Sequence, residues 1–240
     1  MATPVRDVCS LSNPHESLCV ELDLRLRVDF EQSTLSGGAT WTVDRTSPGA
    51  PLLLDTKGLT INSVRDASTG AALTHELLPT HTVYGRALRI DLPAGNARPI
   101  VAIEYSTSAG SEACQWLPKE QTAGKRHPYL FTQCQAIHGR ALLPCQDSPG
   151  AKFTYTATIT APSWATALMG ALPSAKRPRD ADANADADGE RTFAFAQPMK
   201  IPAYLLALAV GDLASRDAGP RSKVRNSRRS IPLRRALMSA

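Results

Sequence analysis

The chain has 240 residues, of which 42% are apolar but only 5% aromatic, so any core has to be filled mainly by aliphatic side chains. Its formal charge of +5 is unevenly placed: residues 216–240 carry eight basic residues against the single acid Asp217, a net of +7, which leaves −2 for residues 1–215. A near-neutral main body excludes a broad basic face for nucleic acid.

The five cysteines, Cys9, Cys19, Cys114, Cys134 and Cys145, are odd in number, irregularly spaced and without a C-x-x-C pair. That pattern fits reduced thiols in a cytoplasmic protein better than a disulfide framework or a zinc knuckle. The first eighteen residues lack the apolar core of a secretory leader, and the apolar run Tyr204–Val210 is too short to span a bilayer.

In chain order, apolar residues at Val20, Leu22, Leu24, Leu26, Val28 and Phe30 alternate with Glu21, Asp23, Arg25, Arg27 and Asp29. A period of two over that length predicts a long strand with one wet face. Gly37-Gly38 reads as a turn or bulge before a second strand over Ala39–Val43. Pro51–Asp55 and Leu59–Arg65 read as short strands punctuated by Gly58, and Asp66–Gly70 carries turn chemistry. Ala87–Leu92 and Ile100–Tyr105 are strand-like, as is the β-branched stretch Phe153–Thr160. Phe193, Phe195 and Tyr204–Val210 close the series. Helical periodicity is absent over any useful window, so the expected fold is all-β, an antiparallel sandwich or saddle. The expected organisation is one β domain over residues 1–215, with a mobile polar loop over Pro173–Glu190, followed by a divergent, disordered basic tail over residues 216–240.

Several apparent motifs fail on spacing. The alternating acids Asp180, Asp182, Asp186 and Asp188 resemble a calcium loop, yet its sixth position is Ala185 where the sharp turn needs glycine, and its twelfth is Arg191. His75-Glu76 is followed by His81, six residues after His75, with Pro79 between, so the two imidazoles cannot share a helix face as H-E-x-x-H requires. Gly124-Lys125 lacks the rest of a phosphate loop, because Lys119 stands where its first glycine belongs. The basic tail has no aromatic residues for base stacking, and nucleic acid is not an expected partner.

The remaining candidates are Gln133 and Gln135. On an extended backbone, side chains two apart leave the same face, and two neutral amides can grip a peptide backbone or amino terminus without adding charge. The bland alternative, amides that satisfy loop hydrogen bonds, fits the spacing equally well.

The segment FTQCQAIHGRALLPCQDSPGAKFTYTATITAP resembles the N-terminal domain of aminopeptidase N-like zinc metallopeptidases of the leukotriene A(4) hydrolase type. ACQWLPKEQTAGKRHPYLF and IPAYLLALAVGDLASRDAGPRSKV match on either side, so the resemblance covers most of residues 8–224 and is strongest from Cys114 to Lys152. It implies an N-terminal β saddle that normally precedes a thermolysin-like catalytic domain. It also implies that Gln133, Cys134 and Gln135 line a peptide site, with Gln135 the first choice for contact with the substrate's amino end. The family uses zinc for peptide-bond hydrolysis and, in some members, epoxide hydrolysis. These 240 residues contain neither H-E-x-x-H nor G-x-M-E-N, so this chain alone is expected to bind no zinc and to be inactive. The loss of similarity near Val224 reads as a truncated or frame-shifted fragment; a genuine short form, acting as a non-enzymatic binding module, is the alternative. The expected partners are a peptide amino terminus and the missing catalytic domain, with no membrane. The face that would meet that domain is expected to be apolar and to promote self-association.

Overall fold

In the computed structural model, residues 7–174 and 189–214 are described. The polar segment 175–188, with most of the acidic stretch, and the basic tail from 215 onward lie outside them.

The long alternating segment is a strand, β1 (Ser17–Asp29), and its apolar set is buried as the period of two requires. It turns at residues 30–33, where Asp29 Oδ1 accepts the Glu31 and Gln32 N–H groups at 2.9 and 2.8 Å. An aspartate that hydrogen-bonds the backbone two residues on stabilises such a reversal. The return strand is β2 (Thr34–Arg45). Gly37-Gly38 therefore lies inside a strand and is not the turn. Gly37 stands opposite Leu26, and a Cβ there would overlap the Arg25 carbonyl oxygen. Close approach of two backbones, rather than chain reversal, explains that glycine.

The next elements are β3 (Leu52–Thr56), β4 (Leu59–Asp66), β5 (His75–Leu77), β6 (Arg86–Ile90), β7 (Ile100–Thr107), β8 (Cys114–Leu117) and β9 (Tyr129–Thr132). A one-turn helix, α1 (Gly139–Leu142), precedes β10 (Lys152–Pro162), β11 (Thr166–Met169), β12 (Leu172–Pro173), β13 (Glu190–Pro202) and β14 (Leu208–Gly211). The run Tyr204–Val210 is not one strand: a 3-10 turn over Ala203–Leu205 precedes β14.

The strands form a seven-stranded sheet in the order β12-β13-β10-β1-β2-β7-β4, a four-stranded sheet β11-β14-β9-β8 and a three-stranded sheet β3-β6-β5. The pairings are antiparallel except that β1 and β10 run parallel, which no local pattern announces. One continuous apolar core joins the three sheets. Trp41 is fully buried there, edge-on to Phe153 at 4.8 Å, and its indole N–H donates to the Pro144 carbonyl at 2.9 Å. Gln146 closes the β-bulge in β1: its amide accepts from Cys19 N–H at 3.0 Å and donates to the Ser17 carbonyl at 2.6 Å. The 142–148 segment is thus pinned beneath the large sheet, and it fixes the loop that carries the glutamines.

Candidate functional site

Strand β9 leads directly into the glutamine segment. Leu130, Thr132 and Cys134 are buried, while Phe131, Gln133 and Gln135 are exposed. The alternation of burial in β9 therefore runs on past its last paired residue as far as Gln135, where the chain enters a turn. Gln133 N–H donates to the Ala113 carbonyl at 2.8 Å, which extends the contact of β9 with the chain before β8. After Cys134 the chain turns over residues 135–138, and His138 N–H donates to the Cys134 carbonyl at 2.8 Å. Helix α1 follows at once.

Cys134 differs from the sequence expectation. Its side chain is 2% exposed and belongs to the core, so the thiol does not face the surface with the amides. Burial pushes that thiol up to about 12, with smaller contributions from Asp147 and Cys114. It is an anchor for the loop and is not ionised at neutral pH.

Behind the loop lies a charged cluster that sequence reasoning missed. Arg140, on α1, is fully buried. Its Nε donates to Asp147 Oδ2 at 3.0 Å, its Nη1 to the Tyr84 carbonyl at 3.0 Å, and its Nη2 to the Cys9 carbonyl at 2.8 Å. Asp55, also fully buried, lies 3.6 Å from Arg140 Nη1 and accepts Ser10 Oγ–H, Leu11 N–H and Asp147 N–H at 2.6, 2.6 and 3.0 Å. Two carboxylates face one guanidinium. Desolvation raises the Asp147 pKa against the lowering pull of Arg140. The cluster ties the N-terminal strap, β3, the 84–85 turn and α1 together. No periodicity or spacing reveals it, because its members come from four distant stretches; the only signal was an Arg within the apolar run around Leu142.

The exposed side of the four-stranded sheet carries an apolar row. Leu168, Ala209 and Phe131 are register neighbours across β11, β14 and β9, and Leu168 is 49% exposed. Tyr129 stacks against Phe131 at 5.8 Å. The glutamine segment continues this surface along β9.

The described residues do not fit a zinc ion. His75 lies on β5 with its Nδ1 3.0 Å from the Leu73 carbonyl, and Glu76 is paired with Arg89. His81 is turned onto Tyr84, ring to ring at 4.4 Å. Among the described residues no three His, Cys, Asp or Glu side chains converge as a metal site would require. Nor is any helix among them long and apolar enough to cross a membrane.

The fold is an all-β saddle built from three sheets, and residues 18–205 match the Peptidase M1 N-terminal domain. The chain belongs to that family. It is 42% identical over 223 residues to leukotriene A-4 hydrolase of Xenopus laevis, covering 91% of this chain and 35% of that protein. It is 36% identical over 229 residues to leucine aminopeptidase 2 of Aspergillus niger, covering 93% of this chain and 36% of that one. The structure of native yeast LTA4 hydrolase superposes with a TM-score of 0.80 at 32% identity, over 92% of this chain and 33% of that chain. The chain thus spans about a third of the length of these relatives and corresponds to their N-terminal domain.

Proposed function

We propose that the chain is the substrate-cradling part of a cytoplasmic zinc aminopeptidase, in which Gln133 and Gln135 receive the amino end of a peptide. Gln135 supplies the leading polar contact, and Cys134 holds the loop from below. The observation that supports this reading is that Gln133 and Gln135 are both exposed while Cys134 between them is buried. An amide oxygen accepts from the peptide's ammonium while its NH2 donates to a peptide carbonyl, so one residue type serves both ends of the contact. Hydrogen bonds to charged groups contribute about 1.5–3 kcal/mol.

The residues that would activate water for hydrolysis are not among these 240. The partner in turnover is the catalytic domain of the same enzyme class, and the chain by itself holds substrate without cutting it. The test is an NMR titration of the 240-residue chain with trialanine and N-acetyl-trialanine, alongside a sensitive peptidase assay with added zinc. The expected result is a shift of the Gln133 and Gln135 side-chain amides by the free-amine peptide, reduced about tenfold in affinity by Gln135→Ala or by acetylation. Chelator-sensitive release of amino-terminal residues would overturn the inert-cradle reading. Binding that is indifferent to acetylation would favour a general binding module instead.

A further inference from the structure

The glutamine segment is held unevenly. At its start, Gln133 is bonded to Ala113 and Cys134 is sunk in the core. At its far end, Gln135 and Ala136 are exposed and Ile137 is half-buried, so beyond the His138 N–H bond to the Cys134 carbonyl little packing fixes the turn. One surface carboxylate reaches across this gap. Glu112 immediately precedes Ala113, and its Oε2 lies 3.2 Å from His138 Nδ1, a carboxylate–imidazole contact without hydrogen-bond alignment that becomes an ion pair when the ring is protonated. Its Oε1 lies 2.8 Å from Lys57 Nζ, and the Lys57 N–H in turn donates to the Arg140 carbonyl at 2.9 Å. The hydrogen bond from Lys57 holds the Glu112 carboxyl below the usual carboxylate range, so it is charged throughout the neutral region.

We propose that Glu112 is a positioning residue, a side-chain clasp that joins the turn before β8 to His138 and thereby fixes the Gln135–His138 turn. It bridges the two ends of the exposed segment: one neighbour is the residue that hydrogen-bonds Gln133, and its ring contact is the residue that closes the turn. The energetics suit such a role. An exposed pair of this kind contributes only about 0–1 kcal/mol, too little to decide global folding. Opening of an exposed turn also costs little, so the same energy governs local order there. The Glu112 and His138 side chains, 45% and 36% exposed, are open enough to part without disturbing the core.

The functional consequence rests on the cradle reading; the clasp itself does not. The experiment compares residue-resolved amide exchange in the 240-residue chain and its Glu112→Gln variant, with Glu104→Gln as a control that breaks a remote exposed pair with Arg25. In Glu112→Gln, amides from Gln135 to His138 should exchange roughly three- to fivefold faster, while the unfolding temperature moves by less than about 4 °C. Trialanine affinity should fall with the loss of turn order. Glu104→Gln should change neither the turn nor the affinity. Unchanged exchange in the turn, or acceleration spread evenly through the molecule, would overturn the clasp. If the parent chain does not bind trialanine, the cradle reading fails and the exchange comparison alone decides on the clasp.

Discussion

Arg140 illustrates how a single buried charge can tie together segments that are far apart in the chain. Its guanidinium is fully buried, and its partners include the carbonyl groups of Cys9 and Tyr84 as well as the Asp147 carboxylate. Burying a charge is favourable only where it is paired and its remaining donors are satisfied. Removing one member of such a cluster leaves the others uncompensated. Arg140→Met should therefore destabilise the chain by about 3–5 kcal/mol, against which the gain in apolar volume is small. A urea titration followed by tryptophan fluorescence measures this. A midpoint within experimental error of the parent would show that the two carboxylates tolerate each other without the cation. Gln133 and Gln135 are the opposite case: being exposed, they can be changed to alanine with little effect on stability.

At the scale of elements, the four-stranded sheet sets the molecule's behaviour in solution. Strands β11, β14 and β9 bring Leu168, Ala209 and Phe131 into one row, and Leu205 at the entrance to β14 is 50% exposed. Apolar patches of this kind drive association when nothing covers them. The 240-residue chain should form concentration-dependent oligomers, and Leu168→Lys together with Phe131→Lys should shift it toward monomer. Light scattering across a dilution series decides this; a clean monomer at high concentration would remove the patch from consideration. Much of the element pattern was readable beforehand. β1, β10 and β7 carry period-two alternation or β-branched runs long enough to be recognised from sequence. β5, β8, β11 and β12 escaped because strands of two to four residues offer too few alternations to count. Gly37-Gly38, which reads as a turn or bulge, is neither, because glycine also marks close backbone contacts and only the neighbouring strand distinguishes these cases.

For the molecule as a whole, the buried thiols predict an alkaline limit. Burial raises the pKa of Cys19, Cys114, Cys134 and Cys145 above that of a free thiol. A group whose folded pKa lies above its unfolded one supports folding fully below the unfolded value and loses that support as pH rises toward the folded value. The unfolded thiols begin to ionise near pH 9, whereas Cys134 in the folded chain does so only at about 12. Stability should fall in this window by about 1.4 kcal/mol per pH unit for each thiol that stays protonated when folded. Urea midpoints at about pH 8, 9, 10 and 11 should decline with increasing steepness, and Cys134→Ala should flatten the slope by one thiol's share. Constant midpoints over that range would contradict the buried, protonated state of the cluster.

Local chemistry alone determined that this chain is built of strands, because alternating apolar residues, turn-forming aspartates and β-branched runs act over a few neighbours. It also singled out Gln133 and Gln135, whose spacing of two would put them on one side of an extended backbone. Only the tertiary structure decided that β1 and β10 run parallel, that Cys134 faces inward between the two amides, and that Arg140 meets Asp55 and Asp147. Those outcomes depend on contacts between residues far apart in the chain, where the cost of burying a charge or thiol is set by what the rest of the fold brings alongside it.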